Sequence, residues 1–324
     1  MLRQRHLSLI AVFLTASLAS ARVEPICENT KNPVARIREI TCSNFNNPDE
    51  LRASIPRGHS DMKVWLMLEN CSMDYLSPGT FVNTSASILK FKDVQLGSFV
   101  EPRSNYNPFE GLEDTLEAMD FSHNSSLPES WAMLSGMHRM EELRLFKMAR
   151  LNLTRDYNEL PQTMKLMAVV RSTIERVDDD WLASLRNLEK VAILRSNLVN
   201  FSRSMLPRPA AKLWRLTLDF ANLTSLPRDF SDQLPALREV GVRNNFITTF
   251  EEASLTHLKK NGTEVSLAGN PLHCDCRLQF LLSFPPDWYY PSCTSPESLL
   301  GQNFRDLSPE QLKCRNFDEA TVGY

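Results

Sequence analysis

The 324-residue chain carries 36 Lys and Arg side chains against 39 Asp and Glu, a formal net charge of −3. Proteins that bind nucleic acid or an anionic membrane surface through charge usually carry a clear excess of basic residues. This chain has none, so we expect neither partner. Its 10 glycines and 6 scattered histidines form neither a phosphate-cradling loop nor a His-Glu-x-x-His element. We therefore expect no enzyme, no cofactor and no metal site.

The first residues have the pattern of a cleavable secretory signal. A basic start with Arg3 and Arg5 precedes an apolar run from Leu7 to Leu18 and a small-residue triplet that ends at Ala21. The run is shorter than the roughly 20 apolar residues that span a membrane. No second run of spanning length follows. We predict a signal peptide over residues 1–21 and a secreted, extracellular protein without a membrane span.

An apolar pattern then recurs about every 24 residues. Its clearest copies run from Leu188 to Leu198, from Leu213 to Leu223 and from Leu237 to Ile247, apolar at positions 1, 4, 6 and 11 and small or amide at position 9. The position-4 residues mark nine units: Leu66, Leu89, Met119, Leu143, Met167, Val191, Leu216, Val240 and Val265. One step is 30 residues long because it contains the turn-rich stretch 102–108, which we interpret as an inserted loop.

The unit has the pattern of a β-strand with one buried face, because the apolar positions 4 and 6 alternate with the outward positions 3, 5 and 7. One unit cannot bury its apolar face alone, so the units must stack. We predict an α/β solenoid with a curved parallel β-sheet over residues 61–270 and short helical or irregular returns on the convex side. We assign residues 22–60 and 271–316 to terminal caps and residues 317–324 to a polar tail.

A cysteine-rich segment follows the last repeat. It runs Asn270-Pro271-Leu272-His273-Cys274-Asp275-Cys276, then Cys293, Leu300-Gly301, Phe304, Leu307 and Cys314. Four cysteines allow three pairings, and the residues alone do not choose among them. A zinc site at His273, Cys274 and Cys276 is the alternative, but Cys-x-Cys is a short spacing for zinc and the compartment is oxidising.

The repeats and this segment resemble the extracellular leucine-rich-repeat family with its cysteine-rich C-terminal flanking domain. The resemblance covers nearly all of the chain after residue 21 and implies bridges from Cys274 to Cys293 and from Cys276 to Cys314. It also implies a recognition protein, serving adhesion, matrix organisation or immune recognition, that binds a partner on its concave face.

The N-terminal cysteines resemble a reduced N-terminal flanking domain of that family. Only Cys27 and Cys42 are present, and their bridge would stabilise the cap by about 3 kcal/mol on the chain-entropy model. Cys71 is left over at position 9 of the first unit. It is either a buried free thiol or an intermolecular bridge, and a homodimer could form through Cys71 or through the concave face.

Outward positions 2, 3, 5, 7 and 8 should form the concave face. Position 8 is basic in the fourth to sixth units and position 7 is apolar there, a combination that favours contact with a partner. We predict binding of an extracellular protein, or another ligand with apolar and anionic parts. The predicted binding residues are Phe146, Lys147, Val170, Arg171, Lys190, Leu194, Arg195, Trp214, Arg215 and Phe220. The alternative is that these charges only solvate the sheet and pair across strands.

Seven Asn-x-Ser/Thr sequons agree with a secretory route. We expect glycans at Asn70, Asn83, Asn152, Asn200, Asn222 and Asn261. The seventh, Asn124, falls at the inward position 9, so we expect it to be unmodified.

A second function stays open. The short N-terminal cap and the size of the chain also resemble the leucine-rich-repeat, non-catalytic subunit of the shrimp luciferase complex. On that interpretation the partner is a secreted enzyme.

Overall fold

A computed structural model describes residues 24–314. The predicted signal peptide at 1–21 and the polar tail at 317–324 lie outside these residues. Within the described range, no helix combines the length and the apolar character of a membrane span.

The described chain is built from short strands joined by turns. The strands are β1 (Ile26–Asn32), β2 (Ile37–Ser43), β3 (Lys63–Met73), β4 (Ala86–Leu96), β5 (Ala118–Ser122), β6 (Glu142–Phe146), β7 (Leu151–Leu153), β8 (Leu166–Val170), β9 (Ile174–Val177), β10 (Lys190–Leu194), β11 (Arg215–Thr217), β12 (Glu239–Gly241), β13 (Glu264–Ser266), β14 (Leu272–His273) and β15 (Cys293–Ser295). The α-helices are α1 (Pro48–Ser54) and α2 (Glu252–Lys260). Short 3₁₀-helical segments cover Trp131–Leu134, Arg155–Glu159, Arg203–Met205, Cys276–Ser283, Glu297–Leu299 and Phe304–Asp306.

Eleven of these strands form one sheet. Strands β1 and β2 are an antiparallel hairpin, and the remaining nine strands continue in parallel from β2, one from each predicted repeat unit. Position 4 pairs with position 4 at every step, from Leu66 opposite Leu89 to Val240 opposite Val265. The predicted solenoid and its nine-unit register are therefore confirmed. The strand hairpin at the N-terminal end was not predicted.

The core lies between this sheet and the return segments. Leucines and valines at positions 4 and 6 are fully buried. Aromatic rings of successive units also pack on one another: Phe91 and Phe121, at position 6, stack with centroids 4.9 Å apart, and Tyr157 and Trp181, in the return segments, meet edge to face at 5.4 Å. Each unit thus packs on its neighbour through large apolar side chains, which supplies most of the stabilisation of a stacked fold.

The side chain at position 9 hydrogen-bonds the backbone groups that are left unpaired where the strand turns into the return segment. Asn245 donates to the carbonyls of Leu218 and Val242 and accepts from the N–H groups of Ala221 and Leu223, at 2.8–3.1 Å. Ser196 makes fewer bonds there: its hydroxyl accepts one N–H and donates to one carbonyl. The asparagine therefore joins two adjacent units more firmly than a serine.

The third unit departs from the predicted register at this turn. Asn124 is exposed with φ at 62°, and the buried position belongs to Ser125, whose hydroxyl accepts from the Val94 N–H at 3.0 Å. The prediction that Asn124 points inward was wrong. Two consecutive left-handed residues, His123 and Asn124, lengthen this turn by one residue relative to the other units.

Disulfides close both ends of the solenoid. Cys27 lies opposite Cys42 across the β1–β2 hairpin and is bonded to it. At the other end the bonds are Cys274–Cys293 and Cys276–Cys314, the pairs implied by the family resemblance. Because both cysteines of the Cys-x-Cys segment are bonded, the zinc alternative is wrong.

Cys71 is a free thiol, only 2% exposed. Burial raises the pKa of Cys71, and its S–H donates to the Glu69 carbonyl at 3.3 Å. The enclosed sulfur agrees with the interpretation of Cys71 as a buried free thiol rather than as an intermolecular bridge.

The position-9 asparagine can be tested by truncation. Asn245→Ala leaves two buried carbonyls and two N–H groups without their partner, so it should destabilise the protein by about 3 kcal/mol. The matched variant Ser196→Ala, which removes fewer bonds, should cost only about 1 kcal/mol. Urea unfolding followed by circular dichroism measures both, and equal losses would contradict the role given to the amide.

The burial of Cys71 predicts its reactivity. In the native protein without reductant, Ellman's reagent should find essentially no thiol, because the reactive thiolate is disfavoured and the sulfur is covered. In urea it should find one thiol per chain, and Cys71→Ser should abolish that signal. Immediate reaction of the native protein, or a disulfide-linked dimer on a non-reducing gel, would contradict this placement.

Candidate functional site

The residues at position 8 share one unusual backbone conformation. Their φ angles all lie between 51° and 54°, in the left-handed region. They are Asn70, Asp93, His123, Lys147, Arg171, Arg195, Phe220 and Asn244. The sequence predicts all eight on the strands. Asn70 and Asp93 do lie within β3 and β4, but the other six lie in the turn beyond their strands, at the carboxyl edge of the sheet.

The sheet hydrogen bonding continues through this turn. The N–H of Lys147 donates to the Val170 carbonyl at 2.9 Å, and that of Arg171 donates to the Leu194 carbonyl at 2.8 Å. The position-8 side chains are therefore held in line, one per repeat, about 4.8 Å apart.

Three consecutive members of this line are cations. Lys147, Arg171 and Arg195, which we call the basic row, are exposed. Within residues 24–314 none of the three forms an ion pair with a carboxylate, whereas most other cations on this side of the sheet do. Those ion pairs are Lys63–Glu117, Lys92–Glu69, Arg144–Asp120, Lys165–Glu141, Arg215–Glu239 and Arg243–Asp219. The basic row is thus a line of charge without internal compensation.

Aromatic rings lie beneath the basic row. The Lys147 ammonium is 5.3 Å and the Arg171 guanidinium 5.9 Å from the ring centroid of Phe146, and Arg195 is 4.9 Å from that of Phe220. Cation–π attraction at these distances holds the charged groups near the surface without neutralising them.

An apolar strip borders the basic row on the strand side. Phe146, Val170 and Leu194 occupy position 7 of adjacent strands, pair with one another in register and are half-buried. The structure therefore brings together seven of the ten predicted binding residues, with Phe220 at the far end of the row.

The other three predicted residues lie elsewhere. Lys190, Trp214 and Arg215 are at positions 2 and 3, the amino ends of their strands, about 16 Å along the strand from position 8 at roughly 3.3 Å per residue. There the Lys190 ammonium lies 5.0 Å from the Trp214 ring centroid, and Arg215 is paired with Glu239 at 2.8 Å. The single patch predicted from the sequence is therefore two groups on opposite edges of the sheet.

Between the two edges of the sheet, the concave face of the later units carries only short side chains at its centre. Position 5 holds only small side chains there: Ala168, Ala192, Thr217, Gly241 and Ser266. At Gly241 an added Cβ would lie 2.8 Å from Asp219 Oδ1, so even alanine would disturb that carboxylate. In the earlier units position 5 holds large side chains, as at Lys90 and Arg144. The change from large to small side chains at position 5 could therefore have been found in the sequence.

One histidine adjoins the basic row. His123 precedes Lys147 in the position-8 line, with its Nε2 3.2 Å from the Lys147 ammonium and its ring against Phe146. Within residues 24–314, no three His, Cys, Asp or Glu side chains are grouped to hold a metal ion.

Comparison with known proteins gives the context of this fold. No family model matches the chain. Trophoblast glycoprotein of Mus musculus is 30% identical over 133 residues, covering 32% of this chain and 31% of that protein. Leucine-rich repeat and fibronectin type-III domain-containing protein 4 of Rattus norvegicus is 28% identical over 144 residues, covering 42% of this chain and 22% of that protein. The chain thus spans less than a third of the length of either relative.

Two solved structures have the same fold. A chain of the octameric complex of Latrophilin 3, Unc5D and FLRT2 (LRR) superposes with a TM-score of 0.56 at 16% identity, covering 85% of this chain and 90% of that chain. Human 5T4, the trophoblast glycoprotein, superposes with a TM-score of 0.51 at 16% identity, covering 89% of this chain and 98% of that chain. This chain is therefore a leucine-rich-repeat solenoid with disulfide-bonded ends, and its homologues are extracellular leucine-rich-repeat proteins.

Proposed function

We propose that the protein is a secreted, non-catalytic recognition protein that binds an extracellular partner, a protein, through the basic row and its apolar strip. The observation that carries the proposal is the absence of any carboxylate partner for Lys147, Arg171 and Arg195 within the described chain, in a sheet where neighbouring cations are paired. Uncompensated charge beside apolar surface is the pattern of a contact site rather than of a solvated face.

The chemistry of the site defines the partner. An anionic group would bind the guanidinium groups of Arg171 and Arg195, which present planar pairs of N–H donors to carboxylate, sulfate or phosphate oxygens. An adjacent apolar group would cover Phe146, Val170 and Leu194. The relatives support binding as the function, since one structural neighbour is part of an octameric complex.

Partner capture and charge reversal test the proposal together. A photo-crosslinking residue at Leu194, with a matched one at the exposed Ala253 of α2, should capture the same extracellular protein from native fluid only at the first position. The triple variant Lys147→Glu, Arg171→Glu, Arg195→Glu should then bind that purified partner about a hundredfold more weakly, because attraction becomes repulsion. Surface plasmon resonance measures both affinities.

A control triple keeps the same change in net charge. Arg103, Arg186 and Lys260 are exposed and lie outside the sheet, so reversing them should alter the affinity less than about threefold. Equal losses in the two triples, or full binding by the first, would contradict the proposal. Capture of a stoichiometric enzyme would instead support the luciferase-subunit alternative.

Secretion also predicts glycans, and all seven sequon asparagines are exposed. Asn124 is the informative one, since its turn exposes the side chain and its Oδ1 accepts from the Ala149 N–H at 3.0 Å. We expect Asn124 to carry a glycan in a secretory host, so that Asn124→Gln lowers the mass by one glycan. Ser126→Thr preserves the sequon and should keep it. Glycopeptide mapping that finds Asn124 bare would contradict this assignment.

A further inference from the structure

A cleft opens at the amino ends of β10 to β13, on the edge of the sheet opposite the basic row. Its volume is about 600 Å³, within the range of small-ligand sites. Its lining residues are Glu189, Lys212, Trp214, Ala236, Arg238, Glu239 and Glu264. We call it the amino-edge cleft.

Trp214 is the fixed apolar element of this cleft. The backbone N–H of Trp214 donates to the Glu189 carbonyl at 3.0 Å, and its backbone carbonyl accepts from the backbone N–H groups of Arg238 and Glu239 at 2.9 and 3.0 Å. The half-buried indole is also covered by the Lys190 ammonium, 5.0 Å from its centroid. The ring is therefore a positioned, flat platform at the surface.

The charges around Trp214 are balanced in sign. Glu239 is paired with Arg215 at 2.8 Å. Of the other lining residues, Glu189 and Glu264 are carboxylates and Lys212 and Arg238 are cations, and none of the four forms an ion pair with another described residue. The cleft therefore selects neither an anion nor a cation, but it offers hydrogen-bond acceptors and donors around one aromatic face.

We infer that the amino-edge cleft binds a hexose or N-acetylhexosamine unit of a neutral oligosaccharide. A pyranose ring has a flat face of C–H groups, which packs on an indole. Each hydroxyl group around the edge of the ring can donate to a carboxylate and accept from an ammonium or guanidinium. An anionic ligand would prefer the basic row, and a basic peptide would meet Lys212 and Arg238 beside the two glutamates.

The experiment uses four neutral probes: the hexasaccharides of glucose in α-1,4 and in β-1,4 linkage, of N-acetylglucosamine and of mannose. Saturation-transfer NMR on the full-length protein should show transfer to the ring protons of at least one of them. Trp214→Ala should weaken that binding at least about tenfold. Trp65→Ala is the matched control, because Trp65 is also half-buried, beneath the Lys90 ammonium at 4.6 Å, but lies outside the cleft.

A milder variant covers the case in which Trp214→Ala does not fold. Glu189→Gln keeps the shape and removes one acceptor charge, and it should weaken binding several-fold. Binding should be insensitive to salt and retained by the basic-row triple variant, which separates this site from the proposed partner site. No transfer to any of the four probes, equal effects of the two tryptophan variants, or strong salt dependence would overturn the inference.

Discussion

The hydrogen bond that crosses each strand end is the constraint on which the rest of the structure depends. The position-8 residue turns left-handed, yet its N–H still donates to the carbonyl of the next strand, as Arg195 does to Asp219 at 3.0 Å. The backbone of each unit therefore changes direction at position 8, and the strands stay in register up to that point. Because the side chain leaves from this turn, the register also fixes where the charges lie.

This conformation is costly for four of the eight position-8 residues that adopt it. Asparagine and aspartate tolerate the left-handed region, but for lysine, arginine and phenylalanine it costs roughly 1–2 kcal/mol relative to ordinary backbone. Lys147, Arg171, Arg195 and Phe220 occupy it in four consecutive units. An asparagine at these positions would avoid the backbone strain. Because large side chains occur there instead, the strain favours a role for those side chains in binding.

The sequence predicted what depends on apolar spacing and missed what depends on local geometry. The nine units and their buried leucines follow from a period that every unit repeats. The extra left-handed residue at Asn124 could not be predicted, because the neighbouring serines Ser125 and Ser126 both suit position 9 or 10. The β1–β2 hairpin was missed because its sequence lacks the repeat pattern and β1 is largely exposed.

Charge pairing was the least predictable part of the candidate site. The cross-strand alternative is correct for Arg215, which binds Glu239, and for Arg144, which binds Asp120. It fails for the basic row, because no position-8 residue in the adjacent units is acidic. The column of position-8 residue types therefore already carried this signal, whereas the pairing of Arg215 with Glu239 depends on rotamers that the sequence does not give.

A charged residue that the sequence suggests is at the surface can also be buried. Arg203, in the return segment of the sixth unit, is 1% exposed, and its guanidinium donates to the carbonyls of Asp232, Pro207 and Gln233 at 2.7–3.2 Å. Burial lowers the pKa of Arg203 to about 10, so it stays charged at neutral pH while serving only the backbone. An arginine in this chain can thus be structural, and its environment decides its role.

That distinction bears on how the basic row would choose its ligand. Three cations spaced by about 4.8 Å span roughly 10 Å, so the complementary negative charges must fall within that length. A single carboxylate could engage only one or two of them. A cluster of acidic groups, or a sulfated or phosphorylated side chain flanked by acids, would engage all three at once. The fixed spacing of the repeats therefore favours a partner with clustered charge over one with the same charge dispersed.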